Sequence, residues 1–240
     1  MSARAPAAAA PGHALPVIVV TGMAFEARIA HGDGVEAVFA ARAELLVPAL
    51  KAAMARGCAG IISFGTAGGL APDLEPGALI VADAVDGPSG SILTDVAWSA
   101  RIAAALAATP LAAKLRRGRE ASVVAPLVGA ADKAARHRAT GALAVDMESH
   151  VAGAIAKAHG LPFAVCRAIV DPAHRTLPPA ATAGLRDDGS TAILPILREL
   201  LKDPAQLRPL IQLAGDARAA RQSLVAARRA LEQAGALRLS

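Results

Sequence analysis

Tyrosine is absent from this chain of 240 residues, tryptophan occurs once and phenylalanine four times. A core built from such a chain is aliphatic, and base stacking on aromatic rows, the usual grip on single-stranded nucleic acid, is poorly supported. Cysteine is scarce too: Cys58 and Cys166 lie far apart and form no C-x-x-C pair. This spacing argues against a disulfide framework, a redox motif or a zinc site, and both are expected to be buried small hydrophobes. The six histidines show no H-E-x-x-H or comparable spacing, so no metal or other cofactor is expected. No segment reaches the ~18 uncharged apolar residues of a membrane span. Residues 2–16 are rich in Ala and Pro and carry one arginine. With no leucine-rich segment ahead of residues 17–20, they read as a flexible arm rather than a signal peptide, and the expected compartment is the cytoplasm. The phosphate-binding glycine fingerprints are missing as well, since Gly65, Gly68 and Gly69 fit neither G-x-G-x-x-G nor G-K-[ST].

What is present is apolar residues, at 54% ample for a core, and a net charge of +5. The positive excess is uneven: after Pro204 six arginines face only Asp216 and Glu232. In the same tail Leu207, Leu210, Ile211, Ala214, Ala217, Leu224 and Leu231 fall near one helical face, which Arg221 and Arg228 interrupt. Strand-like runs bounded by Gly, Pro or Asp occur at 17–21, 60–64, 78–85, 122–128, 142–145 and 163–170. Helical patterns lie between them at 35–56, 95–107, 132–139 and 148–159, and beyond them at 190–202 and 204–234. The alternation predicts an α/β fold, a single-domain three-layer α/β/α sandwich with a central mixed sheet. Three parts are expected: an arm at 1–16, a catalytic domain at 17–203 and an arginine-rich helical extension at 204–240.

Carboxylates at element ends carry the chemistry. A-V-D-M-E-S (Ala144 to Ser149) leads from a short apolar segment into a helix, and C-R-A-I-V-D (Cys166 to Asp171) is an apolar strand ending on an acid. Strand ends in α/β folds share the crevice where small molecules bind, so Glu148 and Asp171 are candidates to meet over one ligand. I-I-S-F-G-T-A-G-G-L (Ile61 to Leu70) reads as a buried strand entering a glycine-rich turn, where backbone without Cβ can approach a ligand.

In this order T-G-M-A-F-E-A (Thr21 to Ala27), F-G-T-A-G-G-L and V-D-M-E-S with C-R-A-I-V-D resemble the nucleoside phosphorylase superfamily, most closely its methylthioadenosine/S-adenosylhomocysteine nucleosidase branch. The run V-D-M-E-S-H, the L-R-D-D-G-S-T segment at 185–191 and the arginine-rich tail resemble the hopanoid-associated phosphorylases, which remove adenine from adenosylhopane. The resemblance implies a phosphorylase-like fold, a homodimer and roles for individual residues. It gives Glu148 the ribose hydroxyls, Met147 the sugar face, Asp171 protonation of the departing purine, and Glu26 orientation and activation of a water. Thr66 and Gly68 fall in the loop near the nucleophile, and Arg167 is the arginine close to the acids.

The chemistry asks for such a set independently. Breaking an N-glycosidic bond develops positive charge on the sugar and negative charge on the base. One acid must hold a proton near neutral pH for the base, which burial beside another carboxylate favours, and a second must stay ionised beside the cationic sugar. Asp171 and Glu148 fit these parts. Each residue also has an ordinary role: Glu148 beside a helix dipole, Asp171 opening a turn before Pro172, Glu26 on a solvated helix, Met147 as core filler, Arg167 as an ion-pair partner. The ordered combination favours chemistry.

Two departures from the family are visible. Residues 122–142 hold no aromatic, leaving backbone at Val128 and Gly129, or Phe25 or Trp98, to recognise the base. Ser63 stands where phosphorylase relatives carry a phosphate-binding arginine. Glu26 and Ser63 favour water as acceptor; Arg28 and Arg42 keep phosphate open as a co-substrate. The expected activity is cleavage of adenine from a nucleoside with a large apolar 5′ substituent, lipid-linked in the hopanoid reading, with the tail touching a membrane. The alternatives are a methylthioadenosine/S-adenosylhomocysteine nucleosidase, a general purine nucleoside phosphorylase or a non-enzymatic nucleoside-binding module.

Overall fold

The computed structural model describes residues 15–40, 42–184, 190 and 192–239. Most of the arm, and the 185–191 segment apart from Ser190, lie outside the described residues. The elements run β1 (Val17–Thr21), α1 (Ala24–Ala30), β2 (Val35–Phe39), α2 (Ala43–Met54), β3 (Gly60–Gly69), β4 (Leu79–Gly87), β5 (Gly90–Leu93) and α3 (Val96–Ala107). They continue β6 (Leu115–Ser122), α4 (Ala130–Thr140), β7 (Ala144–Asp146), α5 (Ser149–Ala158), β8 (Phe163–Asp171), α6 (Pro179–Ala183), α7 (Ile193–Lys202) and α8 (Leu207–Gln233). The expected α/β architecture with a mixed central sheet is present: eight strands in the order β2-β1-β3-β7-β6-β4-β5, with β8 bridging β3 and β4. Parallel pairs join β1 to β3 and β3 to β8, while β7 on β3 and β8 on β4 are antiparallel. Because β8 closes β3 onto β4 while β7 and β6 also connect them, five strands complete a circuit.

Alternation along β1 explains the layers. Val17 and Val19 face one cluster with Ile62, Leu79, Trp98 and Ile102, whereas Ile18 and Val20 face another with Leu46, Leu50, Val151 and Val165. A strand rich in β-branched residues and buried on both faces belongs at the centre of such a sandwich. Asp95 starts α3 by accepting the Trp98 amide at 2.7 Å, and Gly141 ends α4 in the left-handed region at φ 67°.

Local readings differ in four places. Residues 35–56 are not one helix: V-E-A-V-F forms β2, parallel to β1, and the helix starts only at Ala43. The strand expected at 122–128 lies earlier, as β6, where Arg117 and Arg119 reach across to Asp83 and Asp86 of β4 and Arg116 reaches Asp73. These ion pairs make a charged segment compatible with a strand having one solvated face. The glycine-rich run after Phe64 continues β3, paired with β8 and β7, rather than forming a turn. Cys166 is buried as expected, but Cys58 is only half-buried.

The C-terminal helix does not present one continuous apolar face to the outside. Ala220, Leu224, Ala227 and Leu231 join the main core cluster, Arg228 turns inward to donate to the Ala30 carbonyl at 2.8 Å, and Trp98 donates to the Ala236 carbonyl at 2.7 Å. Leu207 and Ile211, at the helix start, remain exposed. Leu224→Ala is therefore expected to lower stability by about 2–5 kcal/mol, and Arg221→Ala on the exposed side by no more than about 0.5 kcal/mol. Urea titration of the two variants checks this, and equal losses would show that α8 does not pack as described.

Candidate active site

Glycine positions let the functional side chains converge. A Cβ on Gly22 would lie 2.6 Å from Glu148 Oε1, and one on Gly65 would lie 2.7 Å from both Glu26 Oε2 and Arg167 Nη1. One on Gly68 would come within 3.3 Å of Asp171 Oδ1. Three acids and one guanidinium thus rest close on backbone; a side chain at Gly22 or Gly65 would displace Glu148, Glu26 or Arg167, and one at Gly68 would crowd Asp171.

Glu26 sits in the first turn of α1 and is buried. Its Oε1 accepts the Thr66 amide at 2.7 Å and the Thr66 hydroxyl at 2.6 Å; its Oε2 accepts the amides of Gly22 at 3.1 Å and Met23 at 3.0 Å. The carboxylate thereby caps its own helix and ties it to β3. Of the four donors only the Thr66 hydroxyl can rotate away, which leaves one direction from which Glu26 can take a water.

Arg167, fully buried in β8, organises the acids below. Its Nη2 pairs with Asp146, reaches Glu148 Oε2 at 3.1 Å and donates to Ser63 Oγ at 2.6 Å. Ser149 closes the network: its hydroxyl donates to Asp146 and accepts from the Ser63 hydroxyl at 2.9 Å. Burial by itself would lower the pKa of Arg167, but Asp146, Glu148, Glu120 and Glu26 outweigh it and raise it. Glu148, at the start of α5, is pushed up to about 8 by burial against the pull of Arg167. Glu120 is raised well above the usual carboxylate range by burial and by Asp146, and neither of its oxygens has a hydrogen-bond partner. One guanidinium does not offset the burial of Glu120 and Glu148, whose carboxyls stay above the usual range.

Asp171, at the end of β8, is also raised by burial, opposed by the buried Lys133 ammonium that pairs with it. Asp171 and Thr66 line a cavity of about 400 Å³ whose other walls include Met23, Phe25, Leu177, Ile196, Leu210 and Leu213. Phe25 is thus the aromatic at this cavity; Trp98 is packed in the core on the α3 side and cannot serve the base. The Val128 carbonyl accepts the Leu177 amide at 3.0 Å, which fixes the loop before α4 against the segment after β8. Met147 is half-buried between Asp146 and Glu148.

Of the sequence candidates, Glu26 and Thr66 meet, Arg167 meets Glu148, and Gly68 makes room for Asp171. Arg28 is exposed and donates to the Ala24 carbonyl on its own helix, and Arg42 is exposed just before α2. Lys133, Asp146, Glu120 and Ser149 were not anticipated. Asp146 had a signal, standing two residues before Glu148 in V-D-M-E; Lys133 had none, in an alanine-rich helix. Among the described residues no group of three or more His, Cys, Asp or Glu side chains is arranged to hold a metal ion.

The phosphorylase superfamily profile matches residues 15–201. No curated protein matches significantly. Among solved structures, a Helicobacter pylori 5′-methylthioadenosine/S-adenosylhomocysteine nucleosidase with 5′-methylthioadenosine in its active site is 15% identical, covering 93% of this chain and 99% of its own, with a TM-score of 0.64. The Campylobacter jejuni nucleosidase of the same name is 14% identical over 91% of this chain and 99% of its own, at 0.60. Futalosine hydrolase of H. pylori is 17% identical over 67% of this chain and 89% of its own, at 0.58. At these identities the likeness is one of fold.

Glu148 contributes a calculable part of the pH response of the site. The folded chain keeps its proton up to about pH 8, whereas an unfolded chain releases it near 4.5. The folded state therefore binds more protons between those values, and stability falls as pH rises through the window. Glu148→Gln should remove up to about 1.4 kcal/mol per pH unit of that decline. Urea melts from pH 5 to 8 measure it; a variant with the same slope as the parent would show that Glu148 is already ionised.

Proposed function

The chain belongs to the phosphorylase superfamily, and from that premise we propose that it cleaves the N-glycosidic bond between adenine and the ribose of a nucleoside carrying a large apolar 5′ group. The carrying observation is the cavity of about 400 Å³ that has Asp171 and Thr66 in a wall otherwise apolar. A hydrocarbon substituent gains by leaving water there, at about 25 cal/mol per Å² of apolar surface, while the charged cluster lies beside it. Adenosylhopane, an adenine nucleoside bearing a polycyclic hydrocarbon, is the substrate this reading favours.

Asp171 is assigned to the leaving base, Glu148 to the ribose hydroxyls and Glu26 to the nucleophile. Burial pushes the Glu148 carboxyl up to about 8; a cationic sugar beside it favours the ionised form, so binding and ionisation of Glu148 are coupled. Water is the proposed acceptor. Ser63, in place of the family's phosphate-binding arginine, is occupied by Arg167 and Ser149, and Arg28 is exposed. Asp171→Asn is expected to lose ~10² to 10⁴ in rate with its fold retained by circular dichroism, and the sugar product of the parent, by mass spectrometry in phosphate-free buffer, to be the free ribose derivative. Product formed only with phosphate, as the 1-phosphate, would overturn hydrolysis.

Contact with an anionic membrane is the finer part of the proposal. No helix among the described residues is long and apolar enough to cross a membrane. On α7, however, Leu194, Leu197 and Leu201 are 73%, 49% and 83% exposed along one face. Arg198, Lys202 and Arg208 are exposed beside them, and Ile196 of the same helix lines the cavity. Apolar side chains flanked by cations suit a surface of anionic lipid. Replacing the three leucines by Gln should abolish salt-sensitive flotation with phosphatidylglycerol vesicles while cleavage of a small soluble nucleoside persists; undiminished flotation would remove α7 from this role.

A further inference from the structure

Lys133 is fully buried, and the roles assigned above leave its charge unexplained. It projects from the first turn of α4 with its three ammonium donors accounted for: an ion pair to Asp171 Oδ2, the Arg175 carbonyl at 2.9 Å and the Pro172 carbonyl at 3.3 Å. Two of these acceptors belong to the turn that follows Asp171. The same two segments are already joined without charge, by the Leu177 amide on the Val128 carbonyl at 3.0 Å and by the Ala130 amide on the Thr176 hydroxyl at 3.3 Å. Tethering therefore does not require an ammonium here. Nor does stability, because burying an ion pair gains little over a well-packed apolar pair of the same volume.

We propose that Lys133 supplies the proton that Asp171 passes to the departing purine, an inference that rests on the glycosidic cleavage argued above. Asp171 faces both ways: one side meets Lys133 and the other lines the cavity beside Gly68. Paired with an ammonium, a carboxylate has no proton of its own to give, so the pair holds one proton between its two members. As the C1′–N9 bond breaks, its electron pair goes to the base. A proton then moves from Nζ to Asp171 and from Asp171 to the base nitrogen N7. Water bonds to C1′ through its oxygen and gives a proton to Glu26. Lys133 is left as the neutral amine and Glu26 as the acid, and exchange with solvent after product release restores both. Lys133 acts through Asp171 and touches no reacting atom.

The experiment uses two substrates that differ only in their need for that proton. A 5′-alkylthioadenosine must be protonated at N7, whereas its N7-methylated cation releases neutral 7-methyladenine without one. Lys133→Met removes charge and proton. Lys133→Arg keeps the positive charge but holds its protons too tightly to donate, since guanidinium is not deprotonated in proteins, and circular dichroism checks that it folds. Lys133→Arg is expected to cleave the alkylthioadenosine about 10²-fold or more slowly, Lys133→Met less so because burial then lets Asp171 hold its own proton, and both to cleave the methylated cation within a few-fold of the parent. Full activity of Lys133→Arg on the alkylthioadenosine would mean that charge alone suffices and would overturn the proposal. An equal loss on both substrates would overturn it too, assigning Lys133 a structural role. Should Lys133→Met fail to fold, the arginine variant decides. Failure of the parent protein to cleave either substrate is a different outcome, and it would remove the glycosidic reading itself.

Discussion

The site depends on a single buried guanidinium. Arg167 is the common partner of Asp146, Glu148 and Ser63, and its charge also acts on Glu120 and Glu26. Without it Asp146 and Glu148 would lose their cationic partner, and burial, which already holds Glu120 and Glu148 above the usual carboxylate range, would act on them unopposed. Removing one partner from such a network leaves an uncompensated buried charge, typically costing about 3–5 kcal/mol. The interior of β8 is therefore bound to the chemistry at its end: the strand that supplies Arg167 also supplies Asp171.

The architecture was legible where the physics is local and one-sided. V-I-V-V-T and F-A-V-C-R-A-I-V have the β-branched, apolar character of strands buried on both faces, and α3 and α5 carry helical periodicity with clear ends. It was illegible where pairing decides. V-E-A-V-F is a strand because β1 offers it an edge, and L-R-R-G-R-E-A-S is one because Asp83 and Asp86 stand opposite its arginines. A composition-based reading sees charge there and moves the strand towards the apolar residues that follow. The closure of β3, β8, β4, β6 and β7 into a circuit is a property of register, which no single segment reveals.

Within the site, legibility followed position. Glu26, Glu148 and Asp171 stand at element boundaries, where a carboxylate interrupting an apolar pattern is conspicuous, and recurring motifs link them. Lys133 lies 38 residues from its partner Asp171, and nothing in A-A-D-K-A-A-R announces that a helix surface will be covered. Glu120 ends a run of arginines and looks solvated, yet it faces inward and is fully buried. Such residues acquire their properties from what folds over them. Arg28 and Arg42, attractive as nearby positive charge in sequence, are both exposed, the first on α1 and the second just before α2.

Backbone at Gly22, Gly65 and Gly68 touches Glu148, Glu26, Arg167 and Asp171, while much of the cavity at Asp171 is walled by side chains from the later helices. These two halves face different constraints during descent. The glycine half tolerates little exchange, because at Gly22 and Gly65 a Cβ would fall within 2.6–2.7 Å of a carboxylate or guanidinium, and at Gly68 it would crowd Asp171 at 3.3 Å. The helical half can trade one aliphatic side chain for another at modest cost and reshape the chamber each time. A lineage built this way can explore new substrates through its C-terminal helices while inheriting its reaction unchanged, so divergence in what is cut is decoupled from divergence in how the cut is made.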